Sequence, residues 1–194
     1  MGNYELRITN YELRITNYPL RITHYLIMSD LYISWTEYHQ KIETLAKKIY
    51  DSQWQFNQIV CLARGGLRVG DILSRIFDQP LAILSTSSYS GVGGKVRGGI
   101  KLAEHLTMTT DTLGSQVLLV DDLVDSGVSL QESIGWLKSR YPQIQEMKTA
   151  VLWYKSCSAI APDYYIDYLA DHPWIHQPFE CYENLNLAKQ DYAD

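Results

Sequence analysis

The chain has 194 residues, 46% of them hydrophobic and 20% charged, and a formal charge of −5 at pH 7. That length accommodates one domain with a substantial core, and an acidic body without a lysine–arginine run argues against nucleic acid as a partner. Cys61, Cys157 and Cys181 match neither a disulfide framework nor a zinc spacing. No apolar stretch approaches the ~20 residues that cross a bilayer, and the start lacks the layout of a signal peptide. A cytoplasmic protein with free thiols and no membrane partner is expected.

The chain opens with NYELRIT at 3–9, repeats it at 10–16 and varies it once, as NYPLRIT, at 17–23. Tyr4, Ile8, Tyr11, Ile15, Tyr18 and Ile22 imitate a coiled-coil seam. Thr, Asn and Pro19 nevertheless make a poor helix, and the odd period turns a strand's apolar face over at every copy. Letter-for-letter identity points to repetitive DNA translated in frame. Residues 1–27 are expected to be disordered or loosely extended and without function, with Met28 the start of a working domain over 28–194.

From Leu31 the pattern changes. YISW predicts a short strand, and Ser34 with Glu37 predicts a capping box. Tyr38, Ile42, Leu45 and Ile49 share one face of a helix that ends near Tyr50. QIVCLA (58–63) reads as a buried strand, after which Arg64-Gly65-Gly66 turns into a helix with Val69, Ile72, Leu73 and Ile76 on its inner stripe. LAILST (81–86) is a strand. The stretch beyond it carries five glycines between Gly91 and Gly99 and predicts a mobile loop over 87–101. SQVLLVD (115–121) is a strand, SLQESIGWLKSRY (129–141) a helix with Leu130, Ile134 and Leu137 inward, and KTAVLWY (148–154) another strand. Strands alternating with helices predict an α/β fold, a doubly wound parallel sheet, whose ligands sit beyond the carboxyl ends of its strands.

VLLVDDLVDSGVSL (117–130) falls at such an end. The backbone N–H groups of Asp125, Ser126, Gly127, Val128 and Ser129 would point outward at a helix start, where the dipole favours an anion. Gly127 permits the tight turn, and two serine hydroxyls add donors. That is a phosphate cradle. Asp121 and Asp122 would repel a bare phosphate, so ribose hydroxyls, or a magnesium ion held through water, are their natural partners. A sugar with a phosphate at one end and hydroxyls at the other satisfies both halves.

This stretch closely resembles the long signature of type I phosphoribosyltransferases, which bind 5-phosphoribosyl-1-pyrophosphate. Serines stand at 126 and 129, where that pattern more often has threonines. CLARGGLRVGDILSR (61–75) resembles the family's pyrophosphate loop; the resemblance implies a non-proline cis bond at Ala63–Arg64 and pyrophosphate held by Arg64 and Gly65. SSYS (87–90) is similar to the start of the catalytic loop in the bacterial xanthine-guanine branch, which adds Ser88 and Tyr89. LWYKS (152–156) places Lys155 where 6-oxopurine enzymes contact the purine O6. HPWIHQPFE (172–180) looks like that branch's hood, with Trp174 stacking on the base and the Ile175 backbone meeting the exocyclic position.

The resemblance covers roughly 31–180 and implies a small hood formed near 156–185. It implies transfer of 5-phosphoribosyl from phosphoribosyl pyrophosphate to xanthine, guanine or hypoxanthine, with Mg2+ as cofactor and a dimer or tetramer as the working form. In that reading Asp121 and Asp122 serve the ribose and the metal, Asp125 to Ser129 hold the 5-phosphate, and Asp125 acts as acid or base at purine N7. The glycine-rich loop would close over the reacting sugar to keep water out. Two alternatives stand beside it: a phosphoribosyl-binding regulatory protein of the same fold, and a pyrimidine phosphoribosyltransferase. The absence of a helix-turn-helix segment disfavours the first, and the pairing of Lys155 with the hood disfavours the second.

Overall fold

The computed structural model describes residues 30–89 and 99–183; the N-terminal repeats with Met28, the centre of the glycine-rich stretch (90–98) and the tail after 183 lie outside the described residues. The first helix begins where its sequence provides a stop for free donors. Ser34 Oγ accepts from Glu37 N at 3.2 Å and Glu37 Oε2 accepts from Ser34 N at 2.8 Å, a complete capping box. Helix α1 then runs Trp35–Asp51 and buries Tyr38, Ile42, Leu45, Ala46 and Ile49. Ahead of it, β1 is only Leu31–Tyr32.

Strand β2 (Gln58–Ala63) is buried at every residue, as the apolar run after Gln58 requires, and Gln58 Nε2 donates to Pro80 O at 2.8 Å. Helix α2 (Leu67–Phe77) buries Val69, Gly70 and Leu73. Ile76, expected on the inner stripe, is instead 50% exposed. The helix leans onto the sheet through Gly70, where an added Cβ would stand 2.6 Å from Cys61 Cβ, and this turns the contact stripe away from Ile76.

The reading of 87–101 as loop is corrected at both ends. Strand β3 extends over Leu81–Tyr89 and β4 over Gly99–Leu102, paired antiparallel with Thr86 opposite Leu102 and Tyr89 opposite Gly99. Thr86, Tyr89, Ile100 and Leu102 are strand formers whose pairing outweighs the glycine-rich average of the segment between them. Next come β5 (Gln116–Val120), β6 (Leu123–Val124), α3 (Val128–Arg140) and β7 (Glu146–Lys155). The sequence showed neither β8 (Tyr164–Leu169) nor β9 (Ile175–His176).

The main sheet is ordered β4-β3-β2-β5-β7, with β8 on the far edge of β7. Every pair except β3–β4 is parallel. β6 continues the line of β5: Val120 faces Ala150 and Leu123 faces Trp153, so the register along β7 is unbroken across Asp121 and Asp122. Helices α1 and α2 pack on the face that carries Ile59, Cys61, Leu118, Val120, Ala150 and Leu152. Helix α3 covers Val60, Leu62, Val117, Leu119 and Val151 on the other. This is the doubly wound architecture. Within 156–185, Tyr164–Leu169 joins the main sheet as β8, while β9 pairs in parallel with β1 in a separate two-stranded sheet. Among the described residues no helix is long and apolar enough to cross a membrane.

Two glycines test how closely these layers fit. A Cβ at Gly66 would meet Val120 O at 2.6 Å and Asp121 Cα at 2.9 Å, both backbone, whereas one at Gly135, on the exposed side of α3, meets nothing within 4 Å. Urea denaturation should therefore show Gly66→Ala destabilised by about 1–3 kcal/mol and Gly135→Ala stabilised by about 0.5–1 kcal/mol. Equal effects at the two positions would mean that the α2–β5 approach is looser than described.

Candidate active site

The order of the sheet reverses between β2 and β5, because β3 lies on one side of β2 and the next strands lie on the other. An α/β sheet opens a crevice at that point, beyond the carboxyl ends. The chain leaves β2 through Ala63–Arg64, whose peptide bond is cis as the resemblance implies, and leaves β5 through Asp121 and Asp122. The two exits touch: a Cβ on Gly65 would come 2.6 Å from Asp122 Cγ.

A cavity of about 220 Å3 opens there, lined by the whole run from Asp121 to Gly127, by Ser129 and Leu130, and by Gln177. At one end is the start of α3. Gly127 takes φ +83°, a backbone shape that favours glycine, and as the N-cap it offers no side-chain acceptor; Ser126 Oγ reaches Val128 N only at 3.5 Å. Its first turn carries no acidic residue, in contrast to Glu37 in α1. The free N–H groups and the hydroxyls of Ser126 and Ser129 make this end a receptor for an anion.

The two carboxylates line the same cavity. Asp121 Oδ1 accepts from Asp122 N at 2.9 Å, and Asp122 Oδ2 accepts from Gln177 Nε2 at 2.6 Å. Burial pushes the carboxyl of Asp121 well above its ordinary value, and the charge of Asp122 pushes it further. Burial also raises Asp122, against the opposing pull of the Gln177 hydrogen bond. Neither carboxylate has an ion-pair partner among the described residues. Two desolvated oxygen ligands without a cation suit a hard divalent ion that takes its other ligands from water and substrate.

The third aspartate is held differently. Asp125 is exposed, and Lys155 Nζ, 5% exposed at the end of β7, donates to its Oδ2 at 3.3 Å. The thiol of Cys157 lies 3.5 Å from the other oxygen of Asp125. Thus Asp121, Asp122, Asp125, Ser126, Gly127 and Ser129 line one cavity, and Lys155 touches it through Asp125. Arg64 does not join them: its guanidinium is at the surface, 3.6 Å from Glu183. Ser88 and Tyr89 close β3 opposite Ile100 and Gly99, and their side chains lie outside the described residues. Trp174 is 62% exposed, its carbonyl taken by Leu31 N at 2.8 Å. Ile175 turns its side chain into the core, so only its backbone can face a ligand.

Gln177 and Cys157 were missed by sequence reasoning. No spacing rule marks an amide or a lone thiol; Gln177's only signal is its place two residues beyond Ile175 in the hood-like segment.

The acidic pair has a consequence for stability. The unfolded carboxyls lose their protons at ordinary values and the folded ones at higher pH. The penalty is complete above the folded value and is relieved as pH falls through it. Asp121→Asn should therefore raise Tm of the metal-free protein near pH 8, and the gain should shrink on acidification toward about pH 4. A gain that is the same at every pH would show that charge is not what opposes folding there.

The sequence profile described as the phosphoribosyl transferase domain matches residues 34–184. The xanthine-guanine phosphoribosyltransferase of Idiomarina loihiensis is 28% identical over 152 residues, which are 78% of this chain and 87% of that protein. The hypoxanthine-guanine phosphoribosyltransferase of Aquifex aeolicus is 34% identical over 116 residues, 58% of this chain and 62% of that protein. Among solved structures, a purine phosphoribosyltransferase from Pyrococcus horikoshii superposes with a TM-score of 0.64 at 29% identity, over 78% of this chain and 94% of that one. With its crevice at the sheet reversal and a profile match over most of its length, this chain belongs to the phosphoribosyl transferase domain family.

Proposed function

We propose that the chain is a 6-oxopurine phosphoribosyltransferase, which moves 5-phosphoribosyl from phosphoribosyl pyrophosphate to xanthine, guanine or hypoxanthine and releases pyrophosphate. The observation that carries this reading is a single cavity lined both by the start of α3 and by two carboxylates, Asp122 buried and Asp121 half-buried, that have no ion-pair partner among the described residues. The names of the Idiomarina and Aquifex relatives support the same class of base.

The 5-phosphate rests on the backbone and hydroxyls of Asp125 to Ser129, and Asp121 and Asp122 hold the ribose hydroxyls. Those two carboxylates are also the residues that would hold Mg2+, which when bound neutralises the departing pyrophosphate. Arg64 and Gly65, with Ser88 and Tyr89 at the end of β3, take the pyrophosphate. The present partner of Arg64 is an exposed glutamate, and such a surface pair contributes little, so exchange for a polyanion is easy. Carbon–oxygen cleavage runs ahead of attack by the purine nitrogen, and the sugar becomes cationic. Asp125 faces N7 of the incoming base and manages its proton. Lys155 donates to O6, Trp174 stacks on the ring, and the Ile175 backbone meets the exocyclic group.

Lys155 and Asp125 are already partners in the free protein at 3.3 Å. One ion pair thus presents a donor and an acceptor side by side, which is the pattern that O6 and a protonated N7 of an oxopurine require.

Asp125→Asn should lower kcat by 10²–10⁴-fold, the usual cost of losing a positioned acid–base group, with KM for phosphoribosyl pyrophosphate little changed. Steady-state kinetics with unaltered kcat would remove Asp125 from proton transfer. Nucleotide formation by the purified chain from several bases tests the whole reading, and no product from any purine would overturn it.

The base subsite makes a separate prediction. Trp174→Ala should weaken all bases together, by about 1–3 kcal/mol of stacking. Lys155→Ala should lower kcat/KM for xanthine, guanine and hypoxanthine roughly ten- to hundredfold while trace adenine activity stays level, from the ~1.5–3 kcal/mol of a charged hydrogen bond. Wild-type oxopurine kinetics in Lys155→Ala would place the acceptor pocket elsewhere.

A further inference from the structure

Gln177 follows β9 directly, and the ladder to β1 sets where its side chain begins. Leu31 N donates to Trp174 O at 2.8 Å and Ile33 N donates to His176 O at 3.0 Å. From that anchor Gln177 Nε2 reaches Asp122 Oδ2 at 2.6 Å. Among the described residues this is the one side-chain hydrogen bond from 171–183 to the segment 121–129. The other end of the same amide is unsatisfied: Gln177 Oε1 is buried with no partner, and the residue lines the cavity of the acidic pair.

A buried amide oxygen without a donor is unusual in a native fold and calls for a missing partner. The ligand proposed for this cavity offers one kind of donor. Phosphate and pyrophosphate oxygens accept, as do the two aspartates; a ribose hydroxyl donates. The acceptor therefore selects the hydroxyl edge of a sugar over its phosphate end.

We propose that Gln177 is a positioning residue that couples the two substrates: Nε2 orients Asp122, Oε1 accepts from a ribose hydroxyl, and the same residue extends the strand that presents Trp174 and Ile175 to the base. The inference rests on the phosphoribosyltransferase reading of the site. A base seated on the β1–β9 sheet orders the backbone from which Gln177 projects, so the sugar then binds an amide already in place. By linkage the sugar favours the base to the same degree.

Titration calorimetry on the full chain tests this, with guanine and a carbocyclic analogue of phosphoribosyl pyrophosphate in Mg2+, which cannot react because its ring lacks the oxygen that stabilises the cation. Saturating guanine should tighten the analogue about tenfold in the wild type, within the usual range of coupling. In Gln177→Met, which keeps the length and loses the amide, that factor should fall to about one, while guanine alone binds within about twofold of wild type. Gln177→Asn keeps the amide one methylene short and should lose the coupling as well, so it decides the matter if the methionine variant misfolds. Coupling retained in the variants overturns the proposal, and so does an equal loss of affinity for both ligands, which would mark a structural role. Both outcomes leave the phosphoribosyltransferase reading standing. A wild-type chain that binds neither ligand removes that reading and this proposal together.

Discussion

Two carboxylates at the end of β5, Asp122 buried and Asp121 half-buried, with no ion-pair partner among the described residues, are the constraint around which the rest of the site is arranged. A charge of that kind opposes folding unless something compensates it. The compensation within the chain is partial: Asp122 N donates to Asp121, and Gln177 donates to Asp122. The unbroken register of β5 and β6 along β7 fixes the backbone from which the pair projects.

The same constraint explains the glycines nearby. Gly65 must lack a Cβ because Asp122 occupies that space, and Gly66 must lack one because the backbone of Val120 and Asp121 does. The β2 exit is thereby pressed against the β5 exit, and the loop that carries Arg64 and the strand that carries the acidic pair form one wall. The uncapped start of α3 supplies the opposite polarity a few residues away. Within nine residues, 121–129, the chain passes from two carboxylates to a helix start whose first turn carries no acidic residue.

Asp125 illustrates how position within one motif separates roles. It is exposed, whereas Asp122 is buried and Asp121 half-buried, and it is held by Lys155 and touched by Cys157. An exposed carboxylate with a charged partner can exchange that partner for a base at little cost. The small β1–β9 sheet stands apart from the main sheet but is bound to it through Gln177, so the part of the chain proposed to grip the acceptor is not independent of the part proposed to grip the sugar.

Much of this was legible in the sequence because it is local. Ser34 and Glu37 announce a helix start, QIVCLA and QVLLV announce strands buried on both faces, and the run from Asp121 to Ser129 carries its chemistry in consecutive residues; periodicity and capping act over a few residues, so one sequence suffices to read them. What depends on distant pairing was not legible. Tertiary structure decided that β1 pairs with β9 across the whole domain, that the flanks of the glycine-rich stretch form a hairpin, and that Gly70 rotates α2 so that Ile76 faces solvent. It also decided that Gln177 meets Asp122, and that Cys157 and Lys155 meet Asp125. Residues that far apart are brought together by the sheet order, and a side chain that serves only as the far partner of a hydrogen bond leaves no period, spacing or composition by which a sequence could show it.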